Sequence, residues 1–490
     1  MTVVPTTYED WAEGADEAEV TPGRLAFYFV VLAVLFYGTA TFFGPDMAAG
    51  YYVAKLAVSA CILVLLIHPA NRLALLGMVS SLYFPLKAHR YATASVDFMM
   101  PMSSAFVIAA AMIAIAGDAV SRRPRPRAGL VKVLLAMLLV TGVASTAGFT
   151  ERSNIYWWFW QMAGMAALAA GFDLATRSLV NRETVKRFLI ATATSLVAFN
   201  FAFSFRTLIT AGPSAIGRLS DLLSKMTVGA FTPQVSGLAL VLLGLAMGIA
   251  ISKVPKADRL RAALLGIGPA AIVLLLYLSK GGLITASALL VIALFLTKRR
   301  VAALMVSILI ALSVAVFVVA RPLYKKSFMV RFQELGQAAT GRTRIRQEAV
   351  RITKTSPFFG IGLGQFRFTT QMPVMSAHNE ILNIAAEQGI PSAVVYAILI
   401  GVFALKAWRS RKVSDPFRKS IVFGATLSGL AYVIYTQIGT LYWIRAGVMM
   451  AALAGMLYVC AEPTPEEEYQ QAYGEPLQQA ELEAAPAEVS

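Results

Sequence analysis

The chain is poor in charge. Only 14% of its 490 residues are Asp, Glu, Lys or Arg, against about 25% in ordinary soluble domains. Hydrophobic residues make up 58%, and the mean hydropathy is +0.66. A water-soluble globular enzyme is thereby excluded. Cysteine is almost absent: Cys61 and Cys460 sit in separate apolar stretches, which leaves neither a disulfide framework nor a thiolate metal cage. There are three histidines, and no CxxC, HExxH, Walker-type loop or EF-hand pattern occurs, so neither a metal nor a cofactor is expected. Residues 1–24 lack a basic region ahead of an apolar core, and do not read as a cleavable signal peptide.

Acidic residues are scarce where the chain is apolar. Six lie in 1–24 and eight in 461–490, so 25–460 holds 42 basic residues against 13 acidic ones. Nucleic acid is a poor partner for so apolar a chain, and none is expected. The acidic ends read as disordered, solvated tails, with Pro463, Pro465, Pro476 and Pro486 opposing a folded C-terminal domain.

What is abundant is apolar runs of membrane-crossing length. Fourteen are read, at 25–43, 51–67, 73–86, 98–117, 130–147, 155–175, 188–205, 235–252, 262–279, 282–297, 301–320, 391–407, 420–439 and 445–460. The expected fold class is an all-α polytopic membrane protein of about 14 transmembrane helices (12–14 allowing for short spans). Basic clusters at 122–127, 177–187, 253–261, 298–300 and 406–419 each follow an even-numbered span. The positive-inside rule then puts both termini in the cytoplasm. The expected division is an acidic tail at 1–24, a membrane bundle over 25–320, a large periplasmic loop at 321–390, three further spans in 391–460 and an acidic tail at 461–490. Trp157, Trp158 and Trp160 are expected to form an interfacial aromatic belt.

The outward segments break the charge rule. They carry Lys87, His89 and Arg90, then Arg206, Arg218 and Lys225, then the turn Lys280-Gly281-Gly282. The loop 321–390 adds ten Lys/Arg against four Glu. Within it, Ile345, Ala349 and Ile352 recur at helical spacing, and Arg344, Arg351 and Lys354 can share another face, with Glu348 four residues after Arg344. A helix over 342–355 is predicted, ended by Ser356-Pro357. The run Gly360-Ile361-Gly362-Leu363-Gly364 reads as a tight turn returning the chain to the membrane surface, with a phosphate-cradling nest as the alternative. His378, beside Asn379 and Glu380, stands between that basic helix and a span; it is either an interfacial hydrogen-bonding residue or a functional one.

The order Gly341-Arg342-Thr343-Arg344, then Ser356-Pro357-Phe358-Phe359-Gly360-Ile361-Gly362-Leu363-Gly364-Gln365-Phe366, then Ala377-His378-Asn379 and Glu387-Gln388-Gly389 resembles the O-antigen ligase and polymerase superfamily. Phe231-Thr232-Pro233-Gln234 and Leu278-Ser279-Lys280-Gly281-Gly282 are similar to further family segments, with Lys280 standing where members usually have Arg. The ligase pattern of His-Asn, nine residues, then Gly-x-x-Gly is met at Gly389, but Ser392 replaces its last Gly.

The resemblance implies a GT-C type glycosyltransferase of the bacterial inner membrane with its active site facing the periplasm. It implies an undecaprenyl-pyrophosphate-linked glycan as donor and either another glycan or lipid A–core as acceptor. Membrane lipid and other polysaccharide-assembly proteins complete the implied partners. His378 would assist the acceptor hydroxyl, with Asn379, Glu380 and Glu387 supporting it. Lys280, Arg218, Arg342, Arg206, Lys87 and Arg90 would hold the pyrophosphate. No metal is expected, since the outward loops have no clustered Asp pair. The departures at Lys280 and Ser392, with the high span count, favour a polysaccharide polymerase over a ligase. A lipid-linked oligosaccharide transporter is the third reading, opposed by the concentration of charge at the outer surface rather than the midplane.

Overall fold

The computed structural model describes residues 69–81, 107–112, 114–116, 128–150, 153–210, 232–277, 280–296, 335–370, 376–437 and 446–462. Among them every regular element is helical and no strand occurs. The helices are α1 (Arg72–Ser81), α2 (Gly129–Ala144), α3 (Ile155–Thr176), α4 (Arg182–Thr210), α5 (Thr232–Ile251), α6 (Lys256–Ala262) and α7 (Gly268–Tyr277). There follow α8 (Lys280–Leu296), α9 (Leu335–Thr355), α10 (Phe366–Thr369), α11 (Glu380–Gln388), α12 (Ile390–Arg409), α13 (Pro416–Thr436) and α14 (Ala446–Ala461).

Two segments, Gly129–Gly148 and Ile390–Lys412, are long and apolar enough to cross a membrane by length and composition. Shorter apolar helices cover Val235–Ile251, Gly281–Ala293 and Ala446–Ala461. A count of fourteen spans is therefore not established; those at 25–43, 51–67 and 301–320 lie outside the described residues. The stretch 262–279 is also not one regular helix. A π turn over Ala263–Ile267 separates α6 from α7. Pro269 has no N–H to give and crowds the carbonyl four residues back, which widens the helix there.

Large apolar side chains line the outside of the two long helices. Leu130, Val133, Met137 and Val140 on α2, and Ile390, Val394 and Ile398 on α12, are all more than two-fifths exposed. Their three- and four-residue spacing makes one stripe per helix, a surface suited to acyl chains rather than water.

Elsewhere small residues allow close packing. A Cβ added to Gly248 of α5 would lie 2.2 Å from the Cα of Gly424 on α13. One turn away along α13, Ser428 Oγ donates to the Val241 carbonyl at 2.7 Å. This is the small-xxx-small contact of helices that associate without a hydrophobic drive from water.

The two ends of the helix group differ in chemistry. At one end Asp173, near the C-terminus of α3, pairs with Lys132 and Arg177 at 2.5 Å each. Lys406 of α12 approaches Glu462, just past α14, at 3.5 Å, and Arg418 of α13 donates to the Glu462 carbonyl. At the other end lie the C-terminus of α2, the N-termini of α3 and α12, and the C-terminus of α13. The loop carrying α9, α10 and α11 docks on that second end.

Candidate functional site

Helix α9 begins at Leu335, seven residues before the expected start. Gly341 does not break it, since one interior glycine costs only about 1 kcal/mol. Ile345, Ala349 and Ile352 are buried, as their spacing predicts, and pack with Ile361, Phe366, Ala377 and Ala386. Arg344, Arg351 and Lys354 are exposed. Glu348 pairs with Arg351 at 2.7 Å and not with Arg344. An acid N-terminal to its base is the favoured order on a helix.

The helix ends at Thr355, and the glycine run then makes the tight turn. Gly360, Gly362 and Gly364 all have positive φ. The turn is clamped onto α11: Ile361 and Gly362 donate their N–H groups to the carbonyls of Ala386 and Glu387 at 3.0 and 2.9 Å. Gly360 and Gly389 leave no room for side chains, since added Cβ atoms would lie 2.3 Å from the Glu387 carbonyl carbon and 2.1 Å from the Phe358 oxygen. With its N–H groups spent on protein carbonyls, this turn is no phosphate nest at those positions.

The turn also docks on the end of α2 and the start of α3. Leu363 N donates to Ser145 Oγ at the end of α2, at 3.0 Å. The Gln365 carboxamide pairs with both backbone groups of Asn154, accepting at 2.6 Å and donating at 2.9 Å. Trp158 Nε1 donates to the Gly142 carbonyl at 3.0 Å, and Arg367 covers the Trp157 ring at 4.7 Å. Trp157 and Trp158 are thus half-buried and engaged with protein. The N-terminus of α3 meets the loop there, and Phe159 beside them is exposed. The Trp160 side chain lies outside the described residues.

The His378 segment enters α11. Its φ of 52° is left-handed and is the one positive φ at a non-glycine among the described residues. Such a conformation is uncommon outside glycine, though less so for His than for branched residues. The next residue starts the helix: Asn379 Oδ1 accepts from Leu382 N at 3.0 Å and caps α11. Asn379 Nδ2 reaches across to Gln437 Oε1, at the end of α13, at 2.8 Å. Arg346 Nη2 donates to the carbonyl of the same Gln437 at 2.6 Å. The His378 imidazole is half-buried, and desolvation lowers its pKa below the ordinary histidine value. The positive charges of Arg342 and Arg346, one turn apart on α9, lower it further.

Two acids stand behind this segment. Glu380, the first residue of α11, is buried. Glu387 is 1% exposed and accepts from Phe366 N at 3.1 Å and from Asn383 Nδ2 at 3.0 Å. Burial raises its pKa to about 8, against hydrogen bonds from Gly364, Phe366 and Asn383 and with added repulsion from Glu380. Asn383 Oδ1 in turn accepts from Ala377 N at 3.0 Å.

The structure therefore brings Arg342, His378, Asn379, Glu380 and Glu387 together. Lys280 opens α8 and Arg206 lies near the end of α4, but their side chains lie outside the described residues. Lys87, Arg90 and Arg218 also lie outside them. Among the described residues no three His, Cys, Asp or Glu side chains converge as a metal site.

Residues 263–397, from the π turn through α9 and α11 into α12, match the family model described as O-antigen ligase. This match supports placing the chain with the O-antigen ligase and polymerase superfamily. A comparison with curated proteins finds no match. The superfamily is one of membrane proteins with glycosyltransferase-like activity on lipid-linked glycans. The matched segment includes Lys280, Arg342, Arg346, His378, Asn379, Asn383 and Glu387. Gln437 and Asn154, which anchor the superfamily's loop here, fall outside it.

Sequence reasoning passed over Arg346, Asn383, Gln365 and Gln437. Two signals existed for the first two: Arg346 follows Arg342 by one helical turn, and Asn383 precedes Glu387 by one turn.

Proposed function

We propose that this protein is a polysaccharide polymerase of the bacterial inner membrane. It transfers an undecaprenyl-pyrophosphate-linked glycan to a hydroxyl of another lipid-linked repeat unit at the periplasmic face. The observation that carries the reading is the half-buried His378 imidazole, held toward its neutral form beside Arg342 and Arg346.

Glycosyl transfer needs a proton acceptor for the attacking hydroxyl and positive charge for the leaving group. The acceptor oxygen bonds to the anomeric carbon of the donor sugar as the bond from that carbon to the phosphate oxygen breaks. The hydroxyl proton passes to the His378 ring nitrogen. The electron pair leaves with undecaprenyl pyrophosphate. A neutral imidazole can take that proton, and the Arg342 and Arg346 guanidinium groups suit the departing anion, with Lys280, Arg206, Arg218, Lys87 and Arg90 as further contributors. Burial, and after it the same charges that favour the leaving group, shift His378 toward its base form.

The segregation of ends supports the orientation. The loop and its arginines share one end of the bundle, while Lys132, Arg177, Lys406 and Arg418 share the other, as the positive-inside rule places cytoplasmic charge.

The test uses purified protein in vesicles with a lipid-linked repeat unit. Wild type is expected to lengthen the lipid-linked glycan and release undecaprenyl pyrophosphate, and His378→Ala to lose roughly a hundredfold or more in rate. Transfer only when lipid A–core is added would replace the polymerase reading with ligase. Movement of the lipid across the bilayer with no new glycosidic bond would replace it with transport.

A further inference from the structure

His378 occupies a backbone conformation that a non-glycine residue adopts at a cost. Something must hold it there, and the local hydrogen bonds identify what does. Ala377, the residue before it, gives its N–H to Asn383 Oδ1. The other end of that carboxamide, Nδ2, is committed to Glu387 Oε2. The other carboxyl oxygen, Oε1, takes Phe366 N at the far end of the glycine turn. One connected chain therefore runs from the turn, through two side chains one helical turn apart on α11, to the peptide beside His378. All its members are buried.

We propose that Asn383 and Glu387 are positioning residues for the transfer reaction, acting on His378 through the Ala377 peptide. The polarity of the chain makes the claim specific. Both Glu387 oxygens accept in these contacts, Oε1 from Phe366 N and Oε2 from Asn383 Nδ2, which an oxygen can do with or without its proton, so Asn383 turns its donor to Glu387 and its acceptor to Ala377. A carboxamide at position 387 whose oxygen stayed on Phe366 N would set donor against donor. If Asn383 flipped to relieve this, its NH2 group would face the Ala377 N–H. Either way one buried polar group loses its partner.

The inference rests on the reading of His378 as proton acceptor, and the test separates the two. Glu387→Gln in the full-length protein in vesicles is expected to lower kcat for glycan transfer about ten- to a hundredfold. Donor KM should change less than about threefold, since Arg342 and Arg346 are untouched. The double variant Asn383→Asp with Glu387→Gln reverses the polarity. Its carboxylate at position 383 accepts from Ala377 N and from the new amide at position 387, whose oxygen still accepts from Phe366 N. It is expected to recover most of kcat. Hydrogen exchange of the 376–380 peptide should rise in the single variant and return in the double one. If Glu387→Gln does not fold, Asn383→Ala, which removes the Ala377 acceptor, serves in its place. Wild-type kcat in the single variant, or a double variant no better than the single, overturns the proposal. Activity in His378→Ala would instead overturn the reading beneath it.

A different observation carries a second inference. Phe358 is 72% exposed and Phe359 51% exposed, at the tip of a turn that is not loose. Ser356 Oγ donates to the Gly360 carbonyl at 2.6 Å, and Ile390 N, opening α12, donates to the Pro357 carbonyl at 2.7 Å. The turn that carries the two rings is thus tied to the start of α12, where the exposed stripe Ile390, Val394 and Ile398 begins. We infer that Phe358 and Phe359 continue the lipid-facing stripe of α12 into the outer edge of the bilayer and seat the loop at the depth of the acyl chains. Spin labels at Phe358→Cys and, separately, Phe359→Cys, with Cys61 and Cys460 replaced by serine, in phosphatidylethanolamine–phosphatidylglycerol vesicles test this. Both are expected to collide more with oxygen than with a water-soluble nickel chelate. The reverse order overturns the inference, as does low access to both reagents, which would mark burial in protein.

Discussion

Asn379 and Gln437, 58 residues apart in sequence, meet through their side-chain amides at 2.8 Å. Because Arg346 also donates to the Gln437 carbonyl, the end of α13 holds both the basic helix and the His378 segment. Gln437→Leu removes the amide contact but keeps the carbonyl. It is expected to lower thermal stability by about 1 kcal/mol, the net worth of one hydrogen bond. The transfer rate should fall several-fold while α11 stays capped, which circular dichroism in detergent and a rate assay can check together.

The pH profile should report His378. The charges of Arg342 and Arg346 disfavour the imidazolium, so Arg342→Gln or Arg346→Gln raises the His378 pKa back toward its ordinary value. The acid limb of kcat/KM is then expected to move to higher pH in each variant. Desolvation, the larger cause, remains in both, so the shift is partial. An acid limb that stays in place, measured in vesicles at constant ionic strength, would separate these arginines from the proton acceptor.

Glu387 makes the loop sensitive to base. Its folded pKa of about 8 lies above the ordinary value of 4.5, so the folded state holds a proton that the unfolded chain has given up between those limits. The associated stability is fully present below about 4.5 and is lost as pH rises through about 8. Protease resistance of the loop is expected to fall over that window. Glu387→Gln should flatten the dependence.

The joint between the turn and α12 should tolerate no side chain. Gly389 has φ 87° and ψ 168°, a region essentially reserved for glycine, and an added Cβ would meet the Phe358 oxygen at 2.1 Å. Gly389→Ala is expected to cost about 2–4 kcal/mol from backbone strain and overpacking. The measurement is the melting temperature of the purified protein in detergent.

Much of this loop was legible from local pattern. The buried face of α9 followed from Ile345, Ala349 and Ile352, its end from Ser356-Pro357, and the turn from three spaced glycines. These depend on spacing within one element, which sequence displays directly. Contacts that close the site do not. Gln365 finds Asn154 across 211 residues and Arg346 finds Gln437 across 91, and in each pair an uncharged amide or main-chain group is half of the contact. Nothing in composition marks such a glutamine. The protein contacts of Trp157 and Trp158 were hidden for a related reason: amphipathic rings suit a lipid interface and a seam within the protein equally well.

The Gln365 side chain meets Asn154 as a neighbouring strand would, with one donor and one acceptor. Two further ties of the loop to the bundle, at Ser145 and at Asn379–Gln437, are also between neutral groups, and the guanidinium groups of Arg346 and Arg367 meet a neutral carbonyl and a neutral ring rather than an acid. Dissolved salt screens exposed charge and scarcely touches such pairs. Raising ionic strength therefore loosens the grip of the arginines on an anionic lipid while the loop stays seated, so a salt titration reads substrate capture apart from assembly of the site.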